Sequence, residues 1–291
     1  MKVAMMLALS VSTVGPGVPS SAPTDRTVYV TVTDDKREPV PDLTAADFVV
    51  KEGGKEREIV KVERATAPMR LALAVEERLT VDAAVRMGLF ELMKRLSGAG
   101  EIALITIGLR NTTIVDYTTS LEALVAGINK FSLNPARDSA VAEGVLELAN
   151  RFVESKPQRP VLVVVAITGG QAGVQPRHVL DRIGQSGAMM HAVTLAGAGE
   201  APGEGTVGSL NTLSGREQVL GDGPKQSGGR RIDVPSTGAM PKALLQIANE
   251  ILAQYAITYT VPEGVKLDKR FSATVKRRGV TLRAPSTISD K

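Results

Sequence analysis

The sequence predicts a three-layer α/β protein built on a mostly parallel, Rossmann-like sheet. Near-continuous apolar runs are typical of parallel strands that are covered on both faces. Three such runs occupy residues 69–75, 102–107 and 161–167. Amphipathic segments that fit helices lie between them, at residues 81–96, 120–131 and 139–153. Strands that alternate with helices in this way favour a parallel sheet with helices on both faces.

The N-terminal flank, residues 27–66, predicts a separate β segment ahead of that domain. Residues 28–33 alternate between apolar and polar side chains, as a half-buried strand does. Two further strand patterns at residues 48–52 and 58–62 surround Gly53-Gly54, which predicts a hairpin.

The remaining elements of the domain, which we place at residues 68–254, follow in order. Residues 112–117 predict a short edge strand, 176–186 a helix and 189–196 another strand. Residues 197–229 contain ten glycines and two prolines, which predicts a mobile loop region with one short helix around residues 207–213. Residues 241–254 predict a closing helix, with a proline near its first turn.

The C-terminal flank, residues 255–285, carries three more strand patterns, at residues 255–261, 270–277 and 280–284. We expect them to pair with the N-terminal flank, so that both ends of the chain form one small β unit.

Composition excludes several classes of function. Aromatic residues make up only 3% of the 291 residues and the net charge is +4, scattered along the chain. Nucleic-acid binding needs clustered cations or exposed aromatic faces, so no nucleic-acid partner is expected. The chain has no cysteine, which rules out disulfides and thiol catalysis.

The first 22 residues predict an export signal. Lys2 precedes an apolar stretch at residues 3–14, and small residues follow it. The alternative is a disordered N-terminus. Since the apolar stretch is too short to cross a membrane, we expect an exported protein, periplasmic or extracellular, without a transmembrane segment in the mature chain.

Motifs in both flanks resemble the bacterial VWFA-related family, in which a von Willebrand factor A-like domain lies between a short β segment and a C-terminal strand pair. Residues 39–48 read Pro-Val-Pro-Asp-Leu-Thr-Ala-Ala-Asp-Phe, and Glu52-Gly53-Gly54 follows. The C-terminal match comprises Ser-Gly-Gly-Arg at residues 227–230 and the segment at residues 247–259. The resemblance implies a von Willebrand A-type fold that serves protein–protein interaction.

The same resemblance implies a divalent metal site, but this sequence departs from its pattern. Metal-binding A domains supply Asp-x-Ser-x-Ser after the first strand, a threonine from a second loop and an aspartate from a third. The matching positions here are the loop Glu76-Glu77-Arg78-Leu79-Thr80, then Ser139 and Gly169. Only Glu76, Thr80 and Ser139 keep oxygen-bearing side chains, so we expect no metal and no other cofactor. Asp138, beside Ser139, leaves a substitute ligand open.

Arg78 has two interpretations at this stage. It is either a surface residue paired with Glu76 or Glu77, or a guanidinium that takes the electrostatic role of the missing ion and receives a partner's carboxylate. The candidate partner-binding residues are Glu76, Arg78, Thr80, Arg137, Asp138, Ser139 and Gly169.

Other chemical motifs are weak. Gly197-Ala-Gly-Glu-Ala-Pro-Gly has the wrong spacing for a dinucleotide fingerprint. His178 and His191 are the only histidines, and neither lies beside a nucleophile motif. Basic residues at 266–278 fit a protected strand edge, with a polyanion site as the alternative. We therefore expect an exported, non-enzymatic protein-interaction module. An envelope α/β enzyme or nucleotide-binding domain, and a structural pseudo-domain in an assembly, are the alternatives.

Overall fold

The computed structural model describes residues 23–80, 82–131, 139–169, 172–196 and 215–289. The strands are β1 (Thr24–Asp34), β2 (Phe48–Glu52), β3 (Lys55–Arg64), β4 (Met69–Glu76), β5 (Gly100–Ile107), β6 (Asn111–Thr118), β7 (Arg159–Ile167), β8 (Met189–Leu195), β9 (Arg231–Val234), β10 (Tyr255–Val261), β11 (Phe271–Val275) and β12 (Val280–Arg283). The helices are α1 (Ala83–Leu96), α2 (Leu121–Asn129), α3 (Val141–Ser155), α4 (Pro176–Ser186), α5 (Gly215–Ser227) and α6 (Met240–Leu252). None of these helices is long and apolar enough to span a membrane.

Six strands form the central sheet, in the order β6-β5-β4-β7-β8-β9. All neighbours are parallel except β5 and β6, so the edge strand expected near residues 112–117 is β6. If the strands are counted in chain order with β4 as strand 1, their order across the sheet is 3-2-1-4-5-6, which is the order of a doubly wound sheet. The predicted fold class is confirmed.

The helices divide between the two faces of this sheet. One face meets α1, α2 and α6, and there β4 presents the large side chains of Leu71, Leu73 and Val75. The opposite face meets α3, α4 and α5, where β4 presents Ala72 and Ala74. Because both faces are buried, β4 has no polar side, which explains its continuous apolar run.

Helix α5 corrects the prediction of a mobile loop at residues 197–229. Residues 215–227 are helical, with Val219 and Leu220 fully buried against α3, α4 and β8. A Cβ on Gly223 would lie 2.7 Å from the sulfur of Met190, so this glycine permits close packing of α5 on the sheet. The rest of the glycine-rich region, 197–214, and the short helix expected there lie outside the described residues.

The two flanks form a second, antiparallel sheet in the order β11-β2-β3-β10-β1-β12. Its two edge strands, β11 and β12, are consecutive in the chain and are joined by residues 276–279 alone. A connection of this length spans at most about 17 Å, so the sheet must curl until its edges approach. The curled sheet encloses its own core, which includes Val30, Val50, Ile257 and Tyr259. The expected β unit is therefore a barrel-like domain.

Arg159, at the start of β7, ties the barrel-like unit to the central domain. Its guanidinium donates to the carbonyl of Ile251 near the end of α6, to the side chain of Gln254 at 2.8 Å and to the carbonyl of Ala65 at 3.2 Å. Carbonyls at a helix C-terminus lack intrahelical partners and carry partial negative charge, so a buried cation is favourable there.

A buried charged cluster forms a second tie between the two units. Glu250 of α6 accepts hydrogen bonds from Arg230 and from Arg283 of β12. His191 of β8 is fully buried nearby, and within the described ranges neither of its ring nitrogens has a hydrogen-bond partner. Burial, together with the charges of Arg283 and Arg230, lowers the pKa of His191 to about 3. The imidazole is therefore neutral in the folded protein at ordinary pH.

Candidate functional site

The candidate site lies where the parallel strands end. Open α/β sheets place their ligands at this carboxyl edge, between the loops that follow the strands. Glu76, Ile107 and Ile167 are the last residues of the neighbouring strands β4, β5 and β7. We call the loops that follow these three strands the rim.

A buried arginine pairs with Glu76 at the centre of the rim. The Arg216 guanidinium donates from Nη1 to Oε1 at 3.0 Å and from Nη2 to Oε2 at 2.6 Å. Both side chains are almost completely excluded from solvent, with 1% and 0% exposure for Arg216 and Glu76. This parallel, two-bond geometry is the strong form of an arginine–carboxylate pair.

Two further groups complete the surroundings of the Glu76 carboxylate. The Ser139 hydroxyl donates to Oε1, and the backbone N–H of Ile167 donates to Oε2 at 2.8 Å. An ionised carboxylate offers about four acceptor positions. Arg216 fills two, and Ser139 and Ile167 fill the others, so the carboxylate is fully satisfied.

A second layer of contacts fixes the start of α5. Glu217 accepts from the backbone N–H of Gly169 at 3.0 Å and pairs with Arg231 at 2.8 Å, while Arg231 also pairs with Asp233 at 2.8 Å. Burial opposes the charge on Arg231, but its bonds to Asp233 and Glu217 outweigh burial and raise its pKa. These contacts hold Arg216 over the carboxyl edge.

The predicted site residues divide into three groups. Glu76 and Ser139 meet directly, and Gly169 takes part through its backbone, as described above. Thr80 is exposed and Arg78 is half-buried; within the described part of the chain, the Arg78 side chain forms no hydrogen bond or ion pair. The expected pairing of Arg78 with Glu76 or Glu77 is therefore not formed. Arg137 and Asp138 lie outside the described residues.

Glu77 and Asp82 also take part in the rim. Glu77 accepts from the Thr106 hydroxyl at 3.2 Å. Asp82 caps α1 by accepting from the backbone N–H of Val85 at 2.9 Å and accepts from the Thr237 hydroxyl at 2.5 Å. The bond from Thr237, followed by the bond from Val85, lowers the pKa of Asp82. Both carboxylates are thus engaged within the protein.

The described side chains do not fit a divalent cation. Every acceptor position of Glu76 is used, and Arg216 places a positive charge where an ion would need to approach. Gly169 contributes no carboxylate. The residues that the structure describes contain no cluster of three or more histidine or carboxylate side chains able to hold a metal. Any ion at this carboxylate would have to displace the guanidinium.

Solved structures with low sequence identity share similarity with this chain. A von Willebrand factor type A protein from Catenulispora acidiphila is similar at 9% sequence identity and a TM-score of 0.47. The match covers 94% of this chain and 76% of that one. An aerotolerance-related membrane protein from Bacteroides fragilis NCTC 9343 is similar at 12% sequence identity and a TM-score of 0.42. The match covers 62% of this chain and 98% of that one. BatB from Bacteroides thetaiotaomicron is similar at 12% sequence identity and a TM-score of 0.43, and the match covers 64% of this chain and 98% of that one. No family model and no curated protein matches the sequence.

The sheet itself decides the fold. It has the 3-2-1-4-5-6 order, an antiparallel third strand and helices on both faces. The central unit has a von Willebrand A-type fold. The recognition made from the flank motifs is confirmed at the level of fold.

Sequence reasoning missed Arg216, which is the charged partner of Glu76. Arg216 stands 140 positions after Glu76 and follows a glycine-rich segment that has no metal-site motif. The available signal was chemical: a buried ionised glutamate is stabilised by a paired cation. One of the two interpretations of Arg78 placed a guanidinium in this role, and the structure places it at Arg216.

Proposed function

We propose that this protein is a non-enzymatic interaction module whose A-type domain binds a protein partner at the rim without a metal ion. One observation carries the proposal: the Arg216 guanidinium already donates a hydrogen bond to each oxygen of the Glu76 carboxylate. A built-in cation performs the neutralising role that a divalent ion would otherwise have. The rim is therefore formed before any ligand arrives.

Two rim residues offer contacts to a partner. Leu109, in the loop after β5, is 73% exposed, the highest value among the large exposed hydrophobic residues in the described ranges. Arg78 lies in the neighbouring loop after β4, and the two loops are joined by the backbone bond from Glu77 N–H to the Ile107 carbonyl at 2.9 Å. Arginine is enriched at binding hot spots, and within the described residues the Arg78 side chain has no partner, so it is free to contact a partner beside the exposed Leu109.

The described chemistry of the rim supports a binding role over catalysis. The Ser139 hydroxyl donates to a carboxylate whose charge is already balanced by the Arg216 guanidinium and whose other acceptor positions are filled, which does not favour Glu76 as a general base. His191 lies buried in the sheet and His178 is exposed on α4, and neither is among the groups bonded to Ser139 or Glu76.

We also propose export, on the basis of the signal-like pattern in residues 1–22, which lie outside the described residues. An intact mass measured on protein from the cell envelope would test this, because cleavage removes that segment. A full-length mass would contradict it.

We expect Arg78→Glu to weaken partner binding more than tenfold. Reversing the charge of an unpaired loop residue removes an attractive contact and adds a repulsive one, without opening the core. The measurement uses a partner captured from envelope extract and titrated against immobilised wild type and variant. The melting temperature should stay nearly unchanged, which separates lost contact from lost folding.

Two controls make this prediction specific. Leu109→Asp should weaken binding in the same way, since it lies in the neighbouring loop. Neutralising Lys276, Arg277 and Arg278 on the barrel-like unit should have little effect. If that triple variant loses affinity while Arg78→Glu keeps it, binding uses the barrel. If the wild type retains no partner at all, the structural pseudo-domain is the better account.

A further inference from the structure

A cavity of about 230 Å³ lies between the central domain and the barrel-like unit. It is at the opposite end of the central sheet from the rim, because its lining includes the first residues of β7 and the residues that lead into β8. Strand β1 and residues 285–289 line it from the other side. Ligand sites form preferentially at such junctions between domains, so this cavity is a candidate site separate from the rim.

One part of the cavity wall is apolar. It is formed by Ile183, Ala188, Met189, Pro285 and Ile288. An apolar cavity of about 150 Å³ is large enough to bind benzene. The larger cavity here therefore has room for an apolar body of about six carbon atoms together with a small polar group.

The opposite part of the wall carries a buried positive charge that no carboxylate balances. The Arg159 side chain is almost fully buried and donates to the Gln254 side chain and to the carbonyls of residues 65, 67 and 251. All these acceptors are neutral, and within the described residues Arg159 forms no ion pair. The end of α6 supplies only about half a negative charge. Because a buried charge without a counter-ion is unfavourable, an anion in the cavity would stabilise Arg159.

Two hydrogen-bond donors beside Arg159 are free or weakly bonded. The Tyr29 ring also lines the cavity, 5.5 Å from the guanidinium carbon, and its hydroxyl forms no hydrogen bond within the described residues. Burial raises the pKa of Tyr29 more than the charge of Arg159 lowers it, so the hydroxyl keeps its proton. The amide N–H groups of Gln254 have the sulfur of Met189 as their acceptor in the described part of the chain, and a thioether is a weak acceptor.

The other charged residues of the lining leave this balance in place. Arg26 is paired with the buried Glu52 at 3.1 Å, so that guanidinium is already neutralised. Asp25 is exposed to solvent, which screens its charge, and it accepts from the Thr260 hydroxyl. The uncompensated charge inside the cavity is therefore that of Arg159.

We propose that this cavity binds a small organic acid with an apolar body of about six carbon atoms. The carboxylate lies beside Arg159 and accepts hydrogen bonds from the Tyr29 hydroxyl and the Gln254 amide. The apolar body lies against Ile183 and Met189. Hydrogen bonds to an ionised carboxylate are stronger than those between neutral groups, so the charge of the ligand determines its affinity.

Hexanoate is a suitable probe, and isothermal titration calorimetry on the purified full chain measures its binding. For a ligand of this size we expect a dissociation constant on the order of 1 mM or tighter. 1-Hexanol has the same apolar body without the charge, and acetate has the charge without the body. Each should bind at least about tenfold more weakly than hexanoate.

Two variants locate the binding site. Tyr29→Phe should weaken hexanoate binding about tenfold, because a hydrogen bond to a charged group is lost, and should leave 1-hexanol binding unchanged. Ala188→Leu fills the cavity and should abolish binding of both. Tyr117→Phe is the matched control, because the Tyr117 ring also lies against an arginine, Arg70, at 4.1 Å, but on β6 and outside this cavity. It should bind hexanoate as the wild type does.

Three results would overturn the proposal. Absence of hexanoate binding up to about 20 mM, well above the expected dissociation constant, contradicts the ligand class. Equal affinities for hexanoate and 1-hexanol contradict the role of the buried charge. Hexanoate binding that survives both Tyr29→Phe and Ala188→Leu places the site elsewhere. If Ala188→Leu lowers the melting temperature, the conservative variant Tyr29→Phe decides alone.

Discussion

Replacing Arg216 with methionine is expected to lower the free energy of unfolding by about 3–5 kcal/mol, the cost of leaving one partner of a buried ion pair without the other. The variant leaves Glu76 in a site with no solvent access. Ser139 and Ile167 still donate to the carboxylate, but no positive charge remains to balance it. Chemical denaturation at neutral pH measures the loss.

The double variant Glu76→Leu/Arg216→Met makes this test specific. Replacing a buried ion pair by apolar residues of similar volume is often neutral, so most of the stability should return. Arg78→Met is the control, because this rim arginine has no partner among the described residues, and it should change stability by less than about 0.5 kcal/mol. A loss for Arg216→Met as small as the one expected for Arg78→Met would contradict a stabilising role of the pair.

Acidification is expected to destabilise the protein through His191. Its folded pKa, about 3, lies below the ordinary value of 6.5. Between these values the unfolded chain binds a proton and the folded chain does not, so stability falls as pH drops from about 6.5 towards 3. The slope from this one group reaches about 1.4 kcal/mol per pH unit.

His191→Leu removes this contribution. The difference in unfolding free energy between variant and wild type should therefore grow in favour of the variant as pH falls from 7 to 4. At neutral pH the variant should be at least as stable, since it also removes two buried nitrogens without partners. His178→Asn changes the other histidine, which is exposed on α4, and should follow the wild type. Parallel pH profiles for wild type and His191→Leu would contradict this account.

The central sheet was predictable because burial on both faces leaves a local signature. β4 and β7 are each apolar nearly throughout, and no partner needs to be known to see this. Helix α5 was not predictable in the same way. Gly221-Asp-Gly-Pro has the composition of a turn, and only packing of Val219 and Leu220 against the sheet makes the segment helical.

The candidate site was only partly predictable for a related reason. The departure from the metal-binding pattern could be seen at Arg78 and Gly169, because it depends on the identity of single residues. The replacement could not be located, since Arg216 reaches Glu76 through a tertiary contact that no spacing in the sequence encodes. One of the two interpretations of Arg78 therefore gave this role to the arginine nearest in sequence, whereas the buried Arg216 holds it.

The central claim is that Arg216 stands in place of a metal ion, and the thermal midpoint in magnesium or manganese tests it most directly. A ligand at 100 times its dissociation constant stabilises the folded state by about 2.7 kcal/mol, which a melting scan resolves. We predict no shift of the midpoint when millimolar Mg²⁺ or Mn²⁺ is added to chelator-treated protein. A clear upward shift that is lost in Ser139→Ala or Asp138→Ala would contradict the claim, because it would show an ion bound at this edge despite the guanidinium.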